Sequence, residues 1–183
     1  IEEAGKYYLR KMGKSSGMPP MDIVKVAIQS LGLSDVSDFN PSEKILGMPK
    51  SEGELANRST YDLIDEVSRD SAAPGGGSVA AASGSLGVAL GTMVANLCIS
   101  MKGFEDKAEE LNRIAEEGQE IKQFLVNAID GDSNAFDKVI KAMRMPNDTD
   151  SEKESRNIKM QEGYKAATEV PLETVEYCYK ALN

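Results

Sequence analysis

Two stretches of this sequence hold residues whose types and spacing could do chemistry: Pro74-Gly75-Gly76-Gly77-Ser78 and Asp130-Gly131-Asp132. Successive glycines permit positive φ and close approach of the backbone to another group. Ahead of a helix they leave its first N–H groups free for an anion or a carbonyl oxygen. A triple glycine alone is equally a flexible turn between helices. Asp132 stands out for a different reason. In steps of three and four, one stripe reads Ile114, Gly118, Ile121, Leu125, Ala128, Asp132, Phe136, Val139, Met143, the pattern of a helix face turned to a core. Asp132 is its one charged member. A carboxylate on a buried stripe is costly unless paired or protonated. It is therefore either structural, capping a neighbouring helix or pairing with an Arg, or a functional carboxylate. Asp130 lies about 200° round the helix, beside Asn127, Asn134 and Asp137, and is expected on the wetter side.

Other residue types narrow the chemistry. The sequence has no His, so carboxylates, Lys or Tyr must carry any proton transfer. Cys98 and Cys178 stand far apart without metal-ligand spacing, so no metal site is expected and reduced thiols in a cytoplasmic protein are the plain reading. Net charge is −9, which disfavours a nucleic-acid partner. Arg144 closes the long helix, where a cation suits the helix dipole or an anionic group. Lys153, Arg156 and Lys159 recur every third residue, as a solvated face or a strip that docks carboxylates.

The elements that would position these groups are all helical. Aromatics are 5% of the chain and Trp is absent, so the core rests on Leu, Ile, Val, Met and Ala. Residues 1–13 read as a helix ending at Gly13. Pro19 or Pro20 opens a second, to about residue 31, stopped by Gly32. Residues 33–59 form a linker with at most a turn or two of structure. Ser59 or Thr60 caps a helix over 60–69. Ser78 reads as the N-cap of an apolar helix over 79–101. Its Gly84, Gly87 and Gly91 lie along one face, so it should be central and tightly packed. That helix is also long enough to span a bilayer, but Ser83, Ser85, Thr92 and Asn96 thin its hydrophobicity and no membrane partner is expected. Two more helices follow, over 104–143 and 151–182, with a kink expected at Pro171. The chain begins inside a helix and reads as a piece of something longer.

The segment Ser68-Arg-Asp-Ser-Ala-Ala-Pro-Gly-Gly-Gly-Ser-Val-Ala-Ala-Ala82 resembles the opening signature of the formiminotransferase-cyclodeaminase family. Asp130-Gly-Asp-Ser-Asn-Ala-Phe136, followed by Ala142-Met-Arg-Met-Pro146, is similar to its second signature. Gln161-Glu-Gly163 and Val170-Pro-Leu172 fit its next helix, and Leu31-Gly-Leu33 with Phe39-Asn-Pro41-x-Glu43-Lys-Ile45 its connector. The resemblance implies residues 1–56 as the tail and linker of a formiminotransferase domain in the same chain. Residues 57–183 would be a C-terminally incomplete cyclodeaminase domain. It implies an all-α antiparallel helical bundle that forms a homodimer or larger homo-oligomer. The implied reaction converts 5-formiminotetrahydrofolate to 5,10-methenyltetrahydrofolate and ammonia in histidine degradation. Asp132 would be the catalytic residue, at the second Asp of the Asp-x-Asp motif. No cofactor is implied beyond the folate substrate, expected as a polyglutamate. Pro74, Gly75, Gly76, Gly77 and Ser78 would make room or N–H groups for the pterin; Arg144, Lys153 and Arg156 would take the glutamate tail. Two rival readings stand beside it: a methenyltetrahydrofolate cyclohydrolase, and a non-catalytic oligomerisation module.

Overall fold

In a computed structural model the described residues are 1–35, 37–46 and 53–182. They form seven α-helices and no strand: α1 (Glu2–Lys11), α2 (Pro20–Ser30), α3 (Pro41–Lys44), α4 (Thr60–Val67), α5 (Gly76–Ile99), α6 (Ala108–Met143) and α7 (Asp150–Lys180). The punctuation is local. Gly13 and Gly32 take positive φ just past α1 and α2, a conformation that costs glycine nothing. Pro20 opens α2, where its missing N–H would be unpaired in any case. Asn40 caps the single turn of α3, and Ser59 caps α4 by accepting from Asp62 N–H. Thr149 and Glu152 close a reciprocal capping box on α7, which runs through Pro171 as one helix. Gly47 and Pro49, read as linker residues, lie outside the described residues.

The chain divides into two compact units. The first comprises Ile1–Lys50 and Gly87–Lys122. Leu9, Ile23, Val24 and Ala27 bury the contact of α1 with α2, where a Cβ at Gly5 would overlap the Ile23 carbonyl. Gly118 of α6 likewise leaves its space to the Thr92 side chain of α5. The second unit comprises Ser51–Leu86 and Gln123–Asn183. Its core joins Leu55, Ala81, Ala128 and Ile129, with Phe124 packed alongside. Phe124 stacks on Tyr177 of α7 with centroids 3.6 Å apart. Gly84 of α5 lies against Cys178 and Leu125, and a Cβ at Gly163 would stand 3.1 Å from Val139.

Two sequence expectations need correction. The helix α5 is not surrounded on all sides within this chain. Ser78, Ala81, Ser85, Val88, Thr92 and Ala95 bury one narrow face, whereas Leu86, Leu90, Met93, Val94 and Leu97 are exposed, Leu90 at 60%. Gly87 and Gly91 face open space. Among the described residues α5 alone is long and apolar enough to cross a membrane. The buried stripe of α6 is also displaced at its ends. Ala115, Ala135 and Ala142 are buried where Ile114, Phe136 and Met143 were expected, and those three are exposed. Neighbouring backbone approaches closely here, as the Gly17 loop does at Ala115, so small residues take the line of contact and larger ones flank it.

Candidate active site

The glycine stretch and Asp132 meet. Pro74 is buried, its peptide with Ala73 is cis, and Gly75 follows as the last residue before α5. The first intrahelical bond runs from Val79 N–H to the Gly75 carbonyl at 3.2 Å. Gly76, Gly77 and Ser78 are thus the first turn of α5, and their N–H groups are those a helix leaves unpaired. This corrects the sequence reading: Ser78 stands inside the helix, not at its cap, and none of Gly75, Gly76 and Gly77 has positive φ. The glycines serve by lacking a side chain. A Cβ at Gly77 would overlap the Asp132 carboxylate, whereas one at Gly75 or Gly76 would meet nothing within 4 Å.

Asp132 reaches this turn from α6. Its Oδ2 accepts the Ser78 backbone N–H at 2.9 Å. The carboxylate therefore caps α5 from a neighbouring helix, the structural role the sequence allowed for it. It is half-buried rather than sealed in the core. Ser78 is 2% exposed, and its hydroxyl donates to the Ile129 carbonyl at 2.7 Å. The same oxygen lies 3.3 Å from Asp132 Oδ2 and 3.1 Å from Ser133 Oγ. A hydroxyl has one proton. With that proton on Ile129, Ser133 is the donor to Ser78, and the Asp132 pose rests chiefly on the backbone bond.

Asp130 was expected on the wetter side, and it is not there. It is half-buried, and its two oxygens accept Leu55 N–H at 2.8 Å and Ala56 N–H at 2.9 Å. Gly53 packs its Cα directly on that carboxylate. Asn57 Nδ2 returns to the Gly53 carbonyl at 2.7 Å, and Arg58 pairs with Glu54 and Glu66. Asp130 thus pins the turn ahead of α4, and sequence reasoning missed it because Gly53–Arg58 has no periodicity to flag a partner.

The basic residues are not gathered at Asp132. Arg144 is exposed just past the end of α6, twelve residues beyond Asp132, a rise of about 18 Å. Lys153 is exposed and pairs with Asp150 at 3.2 Å. Arg156 Nη2 donates to the Met143 carbonyl at 3.3 Å, at the end of α6, and its Nε is buried without a partner. Among the described residues no group of three or more His, Cys, Asp or Glu could hold a metal ion.

Comparison with known proteins adds a second line. The family model described as formiminotransferase-cyclodeaminase matches residues 59–183, and one described as formiminotransferase domain matches residues 1–48. A formimidoyltransferase-cyclodeaminase from Gallus gallus is 35% identical over 173 residues, covering 92% of this chain and 32% of the relative. One from Sus scrofa is 34% identical over 167 residues, 87% of this chain and 31% of the relative. A methenyltetrahydrofolate cyclohydrolase from Methylorubrum extorquens is 35% identical over 127 residues, 69% of this chain and 61% of the relative. The chain thus spans about a third of the length of the formimidoyltransferase-cyclodeaminases it matches.

Proposed function

The chain belongs to the formiminotransferase-cyclodeaminase family, and we propose that it carries the cyclodeaminase activity of a bifunctional histidine-degrading enzyme: ring closure of 5-formiminotetrahydrofolate to 5,10-methenyltetrahydrofolate with release of ammonia. One observation carries the assignment of the site: the Asp132 carboxylate is held at the first turn of α5 against a glycine that leaves it room. In the reaction N10 of the folate attacks the formimino carbon, and a C–N10 bond forms. Asp132 takes the N10 proton and passes it to the imino nitrogen, which becomes an amine. That amine leaves as ammonia after one further proton arrives from water, as N5 pushes its electron pair onto the carbon. The product is the methenyl cation, so charge and protons balance. A carboxylate fixed in one pose suits this shuttle, because general acid–base catalysis needs the group within hydrogen-bond reach of both nitrogens. No metal or further cofactor enters the scheme.

The other residues follow from that placement. Gly75 and Gly76 line the side of the turn where no side chain intrudes, and offer the pterin its room, with buried Pro74 setting the turn behind them; Ser78 holds Asp132. Arg144 and Arg156, at the far end of α6, are the candidates for the carboxylates of a polyglutamate tail, with Lys153 beyond them. A second copy of the chain covers the exposed face of α5, giving a homodimer or a larger homo-oligomer. That face is apolar and uncharged, with Gly87 and Gly91 open for close helix contact. Two free cysteines suit a cytoplasmic protein.

A cyclohydrolase reading has one observation of its own, the relative of that name at equal identity. The match of residues 1–48 to a transferase domain favours the cyclodeaminase. The test is turnover of 5-formiminotetrahydrofolate by wild type and Asp132→Asn, followed by methenyl-folate absorbance and ammonia release. Turnover without ammonia, or a folded Asp132→Asn protein at full rate, overturns the assignment.

A further inference from the structure

The two family matches meet between residues 48 and 59, yet packing does not follow that boundary. Ile1–Lys50, the transferase-matched side, forms one compact unit with Gly87–Lys122 of the cyclodeaminase-matched helices. The join is polar and specific. Ser16, fully buried, donates its N–H and its hydroxyl to Asn112 Oδ1 at 2.8 and 2.9 Å. The Gly17 carbonyl accepts from Gln119 Nε2 at 2.9 Å and Asn96 Nδ2 at 3.2 Å. Arg10 donates its Nε to Ser16 Oγ at 3.0 Å and pairs with Glu116 at 2.7 Å. Ser15 Oγ accepts the Gly17 N–H at 3.0 Å.

Shape reinforces the bonding. A Cβ at Gly17 would overlap the Cβ and backbone of Ala115, itself fully buried, so the loop lies directly on α6. Asn112 Nδ2 donates to the Ala108 carbonyl at 2.9 Å, which turns Oδ1 toward the loop. A loop between two helices ordinarily gives its polar backbone groups to water. This one gives them to side chains of helices 79 to 102 residues downstream.

We infer that Asn96, Asn112, Ala115, Glu116 and Gln119 form the docking surface for the transferase-matched segment, with the Ser15–Gly17 loop as its clasp. The two segments share local stability, and the transferase half of a longer chain is fastened to the cyclodeaminase helices here and not only through the linker. This inference does not depend on the catalytic assignment.

Amide hydrogen exchange on the full 183-residue chain tests it. Alanine is the better helix former, so in an unclasped α6 Asn112→Ala would slow exchange. With the clasp it leaves Ser16 unpaired and speeds exchange over residues 10–17 and 108–122, on the order of tenfold. Asn112→Asp keeps the acceptor for Ser16 but sets an oxygen against the Ala108 carbonyl, so its protection falls between wild type and Asn112→Ala. Gln119→Ala, which loses one donor to Gly17, repeats the effect in the same peptides should Asn112→Ala not fold. Unchanged or slower exchange over 108–122 in both alanine variants overturns the inference. So does a rise spread evenly into α7, or an Asn112→Asp protein as exposed as Asn112→Ala.

Discussion

Gly77→Ala separates the fold of this site from its chemistry. The backbone at Gly77 is not in the left-handed region, so alanine meets no strain of its own. The three atoms nearest its Cβ would all belong to the Asp132 carboxylate, Oδ2 among them at 2.7 Å, where ordinary contact begins near 3.4 Å. The carboxylate must therefore retreat by about an ångström, away from Ser78 N–H. Losing a charge-assisted bond of this kind costs about 1.5–3 kcal/mol. Alanine in place of glycine returns up to about 1 kcal/mol of helix propensity. The net is roughly 0.5–3 kcal/mol, a fall of about 1–12 °C in Tm for a chain of this size. Catalysis is far less tolerant, since an ångström of misplacement can cost about a hundredfold. The expected result is a folded protein whose kcat/KM for 5-formiminotetrahydrofolate, read by methenyl-folate absorbance, drops about a hundredfold. Placed on Asp132→Asn, the same substitution should lower the rate no further, because both act through one carboxylate. Near-normal kcat/KM in Gly77→Ala, or losses that multiply in the double variant, would refute the role of Asp132.

Asp130→Ala strands two backbone N–H groups, at Leu55 and Ala56, and should destabilise the chain by about 2–5 kcal/mol in urea unfolding; Asp130→Asn, which keeps an acceptor, should be milder. Leu90→Glu puts a charge on the exposed face of α5 and should abolish the proposed self-association, giving monomers by analytical ultracentrifugation with the helical circular dichroism retained. Burial pushes the Glu116 carboxyl up, but the nearby Ser16 hydroxyl dipole, the Arg10 hydrogen bond and the charges of Lys6 and Arg10 outweigh it and hold the group below its ordinary value of 4.5. A carboxyl depressed in the folded state contributes stability above the unfolded value and loses it as pH falls through the folded one. Urea midpoints for wild type and Glu116→Gln should therefore differ at pH 6 and converge toward pH 3; a gap that persists in acid would contradict the arrangement.

Much of the fold was legible because its signals are local. Gly13, Gly32, Pro20 and Ser59 each act within one turn of chain, and the structure uses each one; the Thr149–Glu152 capping box is as local but was passed over as a turn. Asp132 was legible because a charge interrupts an apolar period. The role of Asp130 was hidden, since its partners lie 74 and 75 residues away in a turn that repeats nothing. The ends of the α6 stripe were misread for a related reason. Alanine carries a weak hydrophobic signal, so Ala115, Ala135 and Ala142 lost to Ile114, Phe136 and Met143 on paper. Their place is decided by how close a neighbour comes: Gly17 lies on Ala115, and Gly163 on Val139. The glycine-faced α5 is ambiguous by nature, since small residues permit close contact without saying whether this chain or another supplies it.

The capping and catalytic readings of Asp132 are one arrangement seen from two sides. A proton shuttle needs a carboxylate whose pose survives without substrate, and a side chain free to rotate would lose that pose to entropy. The first turn of a helix offers a fixed N–H with no intrahelical partner. Asp132 uses the one at Ser78, while the serine hydroxyl is bonded to Ile129 and makes only a long contact with the carboxylate. Orientation thus comes from backbone, which substitutions at Ser78 other than proline leave in place. What decides whether the carboxylate fits is the residue one step earlier, and it is a glycine there because any larger side chain would occupy the same space. Toward Asp132 the glycine run acts through one missing Cβ, at position 77, and not through flexibility.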